Sequence, residues 1–264
     1  MITSLQNQQV KDVVKLNNSR ERRKQDMFVI EGARELSLAI SVGLYTIRKL
    51  FVCDELLSLE AKRIAGKLDV PSEMVSVEVF QKMAYREDSD GIIAISAPKH
   101  LSLNMVRLSP NPFIIVLEAV EKPGNLGAIL RTADAARVDA VVVCDPKTDI
   151  YNPNIIRSSI GCVFTKQVVA CTSQEALQWL KQSGISIFAA DTSASEWYHE
   201  TDFTQPSAIV MGTEDNGLTD FWLCNADRRV KIPMRGYIDS LNVSVSTAVL
   251  TFEAMRQRIF VKKT

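Results

Sequence analysis

Histidine is nearly missing from this chain: its 264 residues hold two, His100 and His199. A zinc site or a Ser-His-Asp triad would have to be built on one of them, and both sit in loop-like contexts. No metal and no such triad is expected. Cysteine is sparse and odd in number. Cys53, Cys144, Cys162, Cys171 and Cys224 show no paired short spacing, which argues against a disulfide framework or a zinc knuckle. Most lie in apolar stretches and read as small core residues. Net charge is absent as well, since 31 Lys and Arg balance 31 Asp and Glu. No global positive field steers a polyanion, so any such partner must be met by local patches. No apolar run approaches ~18 residues, so no membrane-spanning helix is expected. The stretch Met1 to Asp12 has no signal-peptide core, and a cytoplasmic location is expected. No G-x-G-x-x-G occurs, which disfavours a dinucleotide cofactor.

What is present is globular, at 46% hydrophobic and 23% charged, with length for one large domain or two ordinary ones. The first hundred residues alternate. Met27 to Glu31, Ile47 to Cys53, Val75 to Phe80 and Gly91 to Ser96 read as extended, with helices over Ala33 to Ser41 and Glu55 to Lys67. This is a small α/β domain, residues 1–98. Prolines at 98, 110 and 112 mark a linker over 99–111, and residues 112–264 form a second region. There, strands are expected over Phe113 to Leu117, Ala140 to Cys144, Lys166 to Ala170, Ile185 to Ala190, Ser207 to Met211 and Arg229 to Ile232. Helices are expected over Asn125 to Arg137, Pro153 to Ile160, Ser173 to Gln182, Gly217 to Cys224 and Val243 to Phe260. Several strands are near-continuous apolar runs, as parallel strands covered on both faces require. The last helix collects Val245, Ala248, Val249, Phe252, Met255 and Ile259 on one stripe and leaves Glu253, Arg256 and Gln257 outside.

Three loops do not look like ordinary connections. The first runs from Glu121 to Gly127, where Asn125 is expected to cap the helix and Arg131, four residues after Gly127, to lean back over the loop. A cation and free N–H groups there make an anion site; the plain alternative is a tight turn beside a solvated arginine. The second is Gly212-Thr213-Glu214-Asp215-Asn216-Gly217-Leu218. Its glycine spacing is that of a P-loop, but Leu218 stands where the phosphate-binding lysine must be. An acidic, glycine-bounded loop remains, at a strand end where open α/β sheets put their ligands. The third runs from Ile232 to Ser244. One helix needs one cap, whereas Ser240, Asn242 and Ser244 offer three, and such a polar loop suits a neutral or zwitterionic cofactor better than a triphosphate.

Together these loops resemble the three motifs of the SpoU (TrmH-type) RNA ribose 2′-O-methyltransferases, within the SPOUT superfamily. The resemblance is carried by Asn125, Gly127 and Arg131, by Gly212, Glu214, Gly217 and Leu218, and by Ile232 to Met234 and Ser240 to Ser244. It covers roughly Phe113 to Arg258. The N-terminal part is similar to the ribosomal-protein-like RNA-binding domain that often precedes such a domain, mainly over Asp26 to Gly32. Two departures stand out. Glu121-Lys122 replaces the Asp or Asn common before the proline, and Asp239 shortens the glycine-rich approach to Ser240. The resemblance implies an α/β SPOUT domain with a C-terminal trefoil knot, a topology that general chain rules disfavour. It further implies bound S-adenosylmethionine and a homodimer. By similarity Met211, Gly212, Ile232 and Leu241 meet the cofactor, while Asn125, Arg131, Glu214, Ser240 and Asn242 are catalytic.

Methyl transfer to a ribose hydroxyl requires alignment and loss of a proton. A guanidinium stays protonated, so Arg131 is expected to hold the neighbouring phosphate and developing charge. Glu214, or a water it orients, takes the proton. The densest basic run, with Arg20, Arg22, Arg23 and Lys24, is expected to contact RNA, ribosomal in preference to transfer RNA. A non-catalytic RNA-binding protein of the same fold, or an α/β enzyme for another small nucleotide, are the alternatives.

Overall fold

The computed structural model describes residues 1–259. Two compact units emerge, one of Met1–Lys99 with Asp149–Thr165, the other of His100–Thr148 with Lys166–Thr264. The first opens with α1 (Gln8–Lys15) and α2 (Ser19–Gln25), then β1 (Phe28–Glu31), α3 (Ala33–Val42), β2 (Thr46–Val52), α4 (Leu59–Ala65), β3 (Ser72–Met74), α5 (Val77–Met83) and β4 (Ile92–Ala97). Asn7 and Asn18 start the first two helices, each accepting at 2.8 Å from the N–H two residues on. The sheet runs β1-β4-β2-β3, with β4 antiparallel to β1 and β2, and β3 parallel to β2.

Two expectations fail in this unit. Val75 to Phe80 is not extended: the strand ends at Met74, and Ser76 caps α5 by accepting from Val79 N at 3.4 Å. The alternation of Val75, Val77 and Val79 is a strand pattern. The spacing of Val79, Phe80 and Met83 is a helix pattern, and it prevails because those side chains join Val10 and Val13 in the core. Arg22, expected on an RNA-facing surface, is 4% exposed. Its Nε donates to Asp149 Oδ2 at 2.6 Å and its Nη1 to the carbonyls of Leu16 and Asn17 at 2.7 and 3.0 Å. A guanidinium so enclosed holds the fold and offers nothing to RNA. Arg20, Arg23 and Lys24 are exposed.

In chain order the remaining elements are β5 (Phe113–Glu118), α6 (Pro123–Ala135), β6 (Ala140–Cys144), α7 (Pro153–Ser158), α8 (Cys162–Thr165), β7 (Gln167–Cys171), α9 (Ser173–Gln182), β8 (Ser186–Ala190), β9 (Glu196–Trp197), β10 (Ser207–Met211), α10 (Asp220–Asn225), β11 (Arg228–Lys231) and α11 (Val243–Ile259). Helices α7 and α8 belong to the first unit, where Tyr151 stacks on Phe28 with ring centroids 4.3 Å apart. The other elements build the second unit. Its strands, among the described residues, are all parallel in the order β7-β6-β5-β10-β8-β11-β9. Strands β5, β6 and β10 are buried at every position, as their unbroken apolar runs require. The stretch before β5 is not free chain, since Leu103, Val106 and Leu108 pack on this core.

Helix α11 turns the opposite way from its expected stripe. It buries Val243, Thr247, Leu250, Thr251 and Ala254. Val245, Phe252 and Ile259 are 48%, 51% and 59% exposed. Thr247 is buried with its hydroxyl satisfied, since Oγ1 donates to the Val243 carbonyl at 2.6 Å. At the far end Arg258 donates to the carbonyls of Phe203 and Asn111 at 2.8 and 2.9 Å and lies over the Phe113 ring. Phe260, expected as the last residue of this helix, lies outside the described residues. No described helix is long and apolar enough to cross a membrane.

Candidate functional site

Strands β10, β8 and β11 are sheet neighbours and parallel, so their C-terminal ends open on one edge. The loops following them, distant in sequence, therefore meet there. After β10, Thr213 and Gly217 exchange backbone hydrogen bonds of 3.0 and 3.1 Å and close a tight loop. A Cβ at Gly212 would sit 2.1 Å from the Gly217 carbonyl carbon, and Gly217 holds φ +64. Close approach demands the first glycine and backbone sign the second. Helix α10 begins at Asp220, later than the expected Gly217, because Thr219 is tied to β5. Its N–H and hydroxyl donate to the Glu118 carboxylate at 2.8 and 2.7 Å.

These loops enclose a cavity of about 370 Å³, within the size range of small-molecule sites. Met211, Gly212, Ile232 and Leu241, the residues expected to meet a cofactor, line it, and so does Ser240, which was expected to be catalytic. Ala190, Asp191 and Thr192 line it too, and were missed. They end an apolar strand just as Met211 and Gly212 do, and the same rule about strand ends would have found them. A second cavity of about 80 Å³ is lined by Val120, Lys122 and Asn125. The two share Thr213 to Asn216 and Val243 as a common wall.

Glu214 sits in that wall at the centre of a hydrogen-bonded cluster. Asn125 Nδ2 donates to its Oε1 at 2.8 Å, and Asn242 Nδ2 donates to the same oxygen. Lys122 Nζ pairs with Oε2. Asn242 Nδ2 also reaches Asn125 Oδ1 at 3.2 Å, while its own Oδ1 accepts from Ser244 N and Oγ at 3.0 and 2.6 Å and so caps α11. Asn125 is not a cap. Pro123 holds the first helical position, Lys122 precedes it without a capping bond, and Asn125 lies within the first turn. That frees its amide for Glu214. The Lys122 ammonium, followed by the Asn125 amide, holds the Glu214 carboxyl below the usual carboxylate range, and Glu214 in turn raises Lys122. Ser240 is outside the cluster, donating to Asp239 Oδ1 at 3.0 Å. Arg131 is exposed on α6, in the wall of neither cavity. Among the described residues no group of three or more His, Cys, Asp or Glu is placed to hold a metal.

Residues 112–252 match the model of the SpoU rRNA Methylase family. The chain belongs to that family. Residues 7–94 match an MRM3-like substrate binding domain. The chain is 31% identical over 95% of its length to the 23S rRNA (guanosine(2553)-2′-O)-methyltransferase RlmP of Bacillus subtilis, 97% of which is covered. It superposes with TM-score 0.87 and 39% identity on a crystal structure of an RNA 2′-O ribose methyltransferase, covering 97% of this chain and 98% of that one. The AdoMet-bound rRNA methyltransferase of Sinorhizobium meliloti gives TM-score 0.89 at 26% identity, with 97% of each chain covered. The two asparagines and the glutamate that meet in this SpoU chain come one from each of the three loops.

Proposed function

We propose that this SpoU protein transfers a methyl group from S-adenosylmethionine to a ribose 2′-hydroxyl of ribosomal RNA. One observation carries the reading: Glu214, bonded by Asn125 and Asn242, stands in the wall between a larger cavity and a smaller polar one. The larger cavity fits the cofactor by charge. Asp191, Glu214, Asp215 and Asp239 line it against Lys231, a balance that suits a cationic sulfonium and opposes a triphosphate. Gly212, Ile232 and Leu241 would hold S-adenosylmethionine there, and when bound it supplies the electrophilic methyl group. The ribosomal choice is supported by the relatives' names, which are those of 23S rRNA methyltransferases.

Within this reading the acceptor ribose enters the smaller cavity. Asn125 and Asn242 orient it, and Glu214 accepts a hydrogen bond from the hydroxyl or from a water that takes its proton. A carboxyl held below its usual range is a weak base, so orientation is its larger contribution. Arg131, further along α6, offers charge to the phosphate beside the ribose and to the developing oxyanion. Ser240 contributes to the cofactor wall. Arg20, Arg23 and Lys24 hold RNA on the first unit, and residues 1–98 serve as its substrate-binding domain before the 112–264 methyltransferase domain.

The reading includes a trefoil knot, a cytoplasmic location and a homodimer, for which the uncovered Val245, Phe252 and Ile259 stripe provides an apolar face. Calorimetry with S-adenosylmethionine against ATP and NAD, with ribose-methylation mapping in a deletion strain, tests it. Cofactor binding and a lost rRNA methylation are expected. Loss confined to transfer RNA would reassign the substrate, and binding of ATP or NAD alone would overturn the reading.

A further inference from the structure

We propose that Lys122 is a positioning residue of the acceptor site: its ammonium holds one oxygen of Glu214, so that the other stays aimed at Asn125 and Asn242 while RNA binds. The inference rests on the proposed methyl-transfer reading. Lys122 is 69% exposed and Glu214 20%. An exposed pair of this kind contributes little to stability, and holding a long side chain still costs conformational entropy. Stability therefore does not explain why the lysine lies across the site. Its position does. Lys122 stands directly before α6, the helix that carries Asn125, and closes the Glu214 side of the smaller cavity.

Oε1 of Glu214 accepts from both amides while Oε2 takes the Lys122 ammonium, so both oxygens are used as acceptors, which suits an ionised carboxylate and leaves no oxygen for a proton. RNA brings phosphate charge toward this carboxylate, and like charge favours the protonated form. The groups around the pair are Asp215 and Glu121 on the flanking loops, which bear on Lys122, and the Val243 N–H at the start of α11, which donates to Glu214. Lys122 is the cation in this set. It offsets the approaching phosphates and keeps Oε1 an acceptor for both amides, and through them keeps the two asparagines in register.

The test compares full-length wild type, Lys122→Met and Lys122→Arg. The pH dependence of kcat is measured on ribosomal RNA, and the Glu214 carboxyl is titrated by ¹³C NMR, assigned with Glu214→Gln. For Lys122→Met, relative kcat should fall about tenfold more at pH ~5.5 than at pH ~8, with KM for RNA little changed. Its Glu214 should titrate at higher pH than in wild type, and Lys122→Arg should restore both. A Lys122→Met profile parallel to wild type, or a rise in KM alone, would overturn the proposal, as would an unmoved Glu214 titration. If wild type methylates no RNA, the methyl-transfer reading fails, while the NMR titration still decides whether Lys122 controls Glu214.

Discussion

The buried carboxylates of the first unit and Glu214 of the second serve opposite ends. In the first, Glu35 is 1% exposed and shared by Arg86 at 2.7 Å and Arg34 at 3.0 Å. Glu31 is buried and accepts from the N–H groups of Tyr85 and Arg86 at 2.7 and 3.3 Å. Asp149 closes on buried Arg22. Arg22, Glu31 and Glu35 are each buried against partners within the unit. In the second unit Glu214 is equally well bonded, yet it stands in a cavity wall with the exposed Lys122 beside it. A charge sealed inside holds chain segments together; a charge held at a cavity edge is poised to meet a ligand.

Mutation should separate the two uses. The largest effect is expected for Arg22→Ala, which strands Asp149 and two carbonyls and should cost about 3–5 kcal/mol. Denaturant unfolding would show it, and unchanged stability would remove the distinction between sealed and poised charges. Arg131→Ala should lower turnover about a hundredfold, some 3 kcal/mol, with S-adenosylmethionine affinity nearly intact. Leu241→Pro should instead weaken cofactor affinity first, because its loop backbone borders the larger cavity. Equal losses of affinity in both would move Arg131 into the cofactor site.

Phe252→Glu on the uncovered face of α11 should convert a species of twice 29.4 kDa to a monomer in light scattering; a wild-type monomer that methylates RNA would remove the dimer. Arg23→Ala with Lys24→Ala should reduce the salt dependence of RNA binding by up to about two charges, leaving chemistry at saturating RNA unchanged. The smallest effect concerns pH. Glu214 is depressed in the folded chain, so its contribution to stability is complete above the ordinary carboxylate range and is lost as pH falls through its lowered folded value. Glu214→Gln should flatten that acid limb in a stability titration.

The three loops were legible because their demands are local. Gly212 and Gly217 are required by a loop that closes on itself, and the apolar runs of β5, β6 and β10 announce strands covered on both faces. Misreadings arose where local pattern supports two answers. Val75 to Phe80 carries both a period-two and a helical spacing, and contact with Val10 and Val13 selects the helix. Asn125 is a good capping residue by type, but Pro123 starts the helix earlier and leaves its amide for Glu214. The basic run around Arg22 reads as one solvated patch until a partner 127 residues away draws one member inside.

By itself the sequence determined the α/β class, the parallel core and two of the loops that meet at the larger cavity. Each of these follows from period, apolarity or backbone sign over a few neighbouring residues. Only the tertiary structure decided which face of α11 is covered and that Arg22 is sealed. It alone paired Lys122 with a carboxylate 92 residues away. Periodicity says which faces are apolar but not what will cover them, and the pairing of charges depends on distances that exist only once the strands have taken their order.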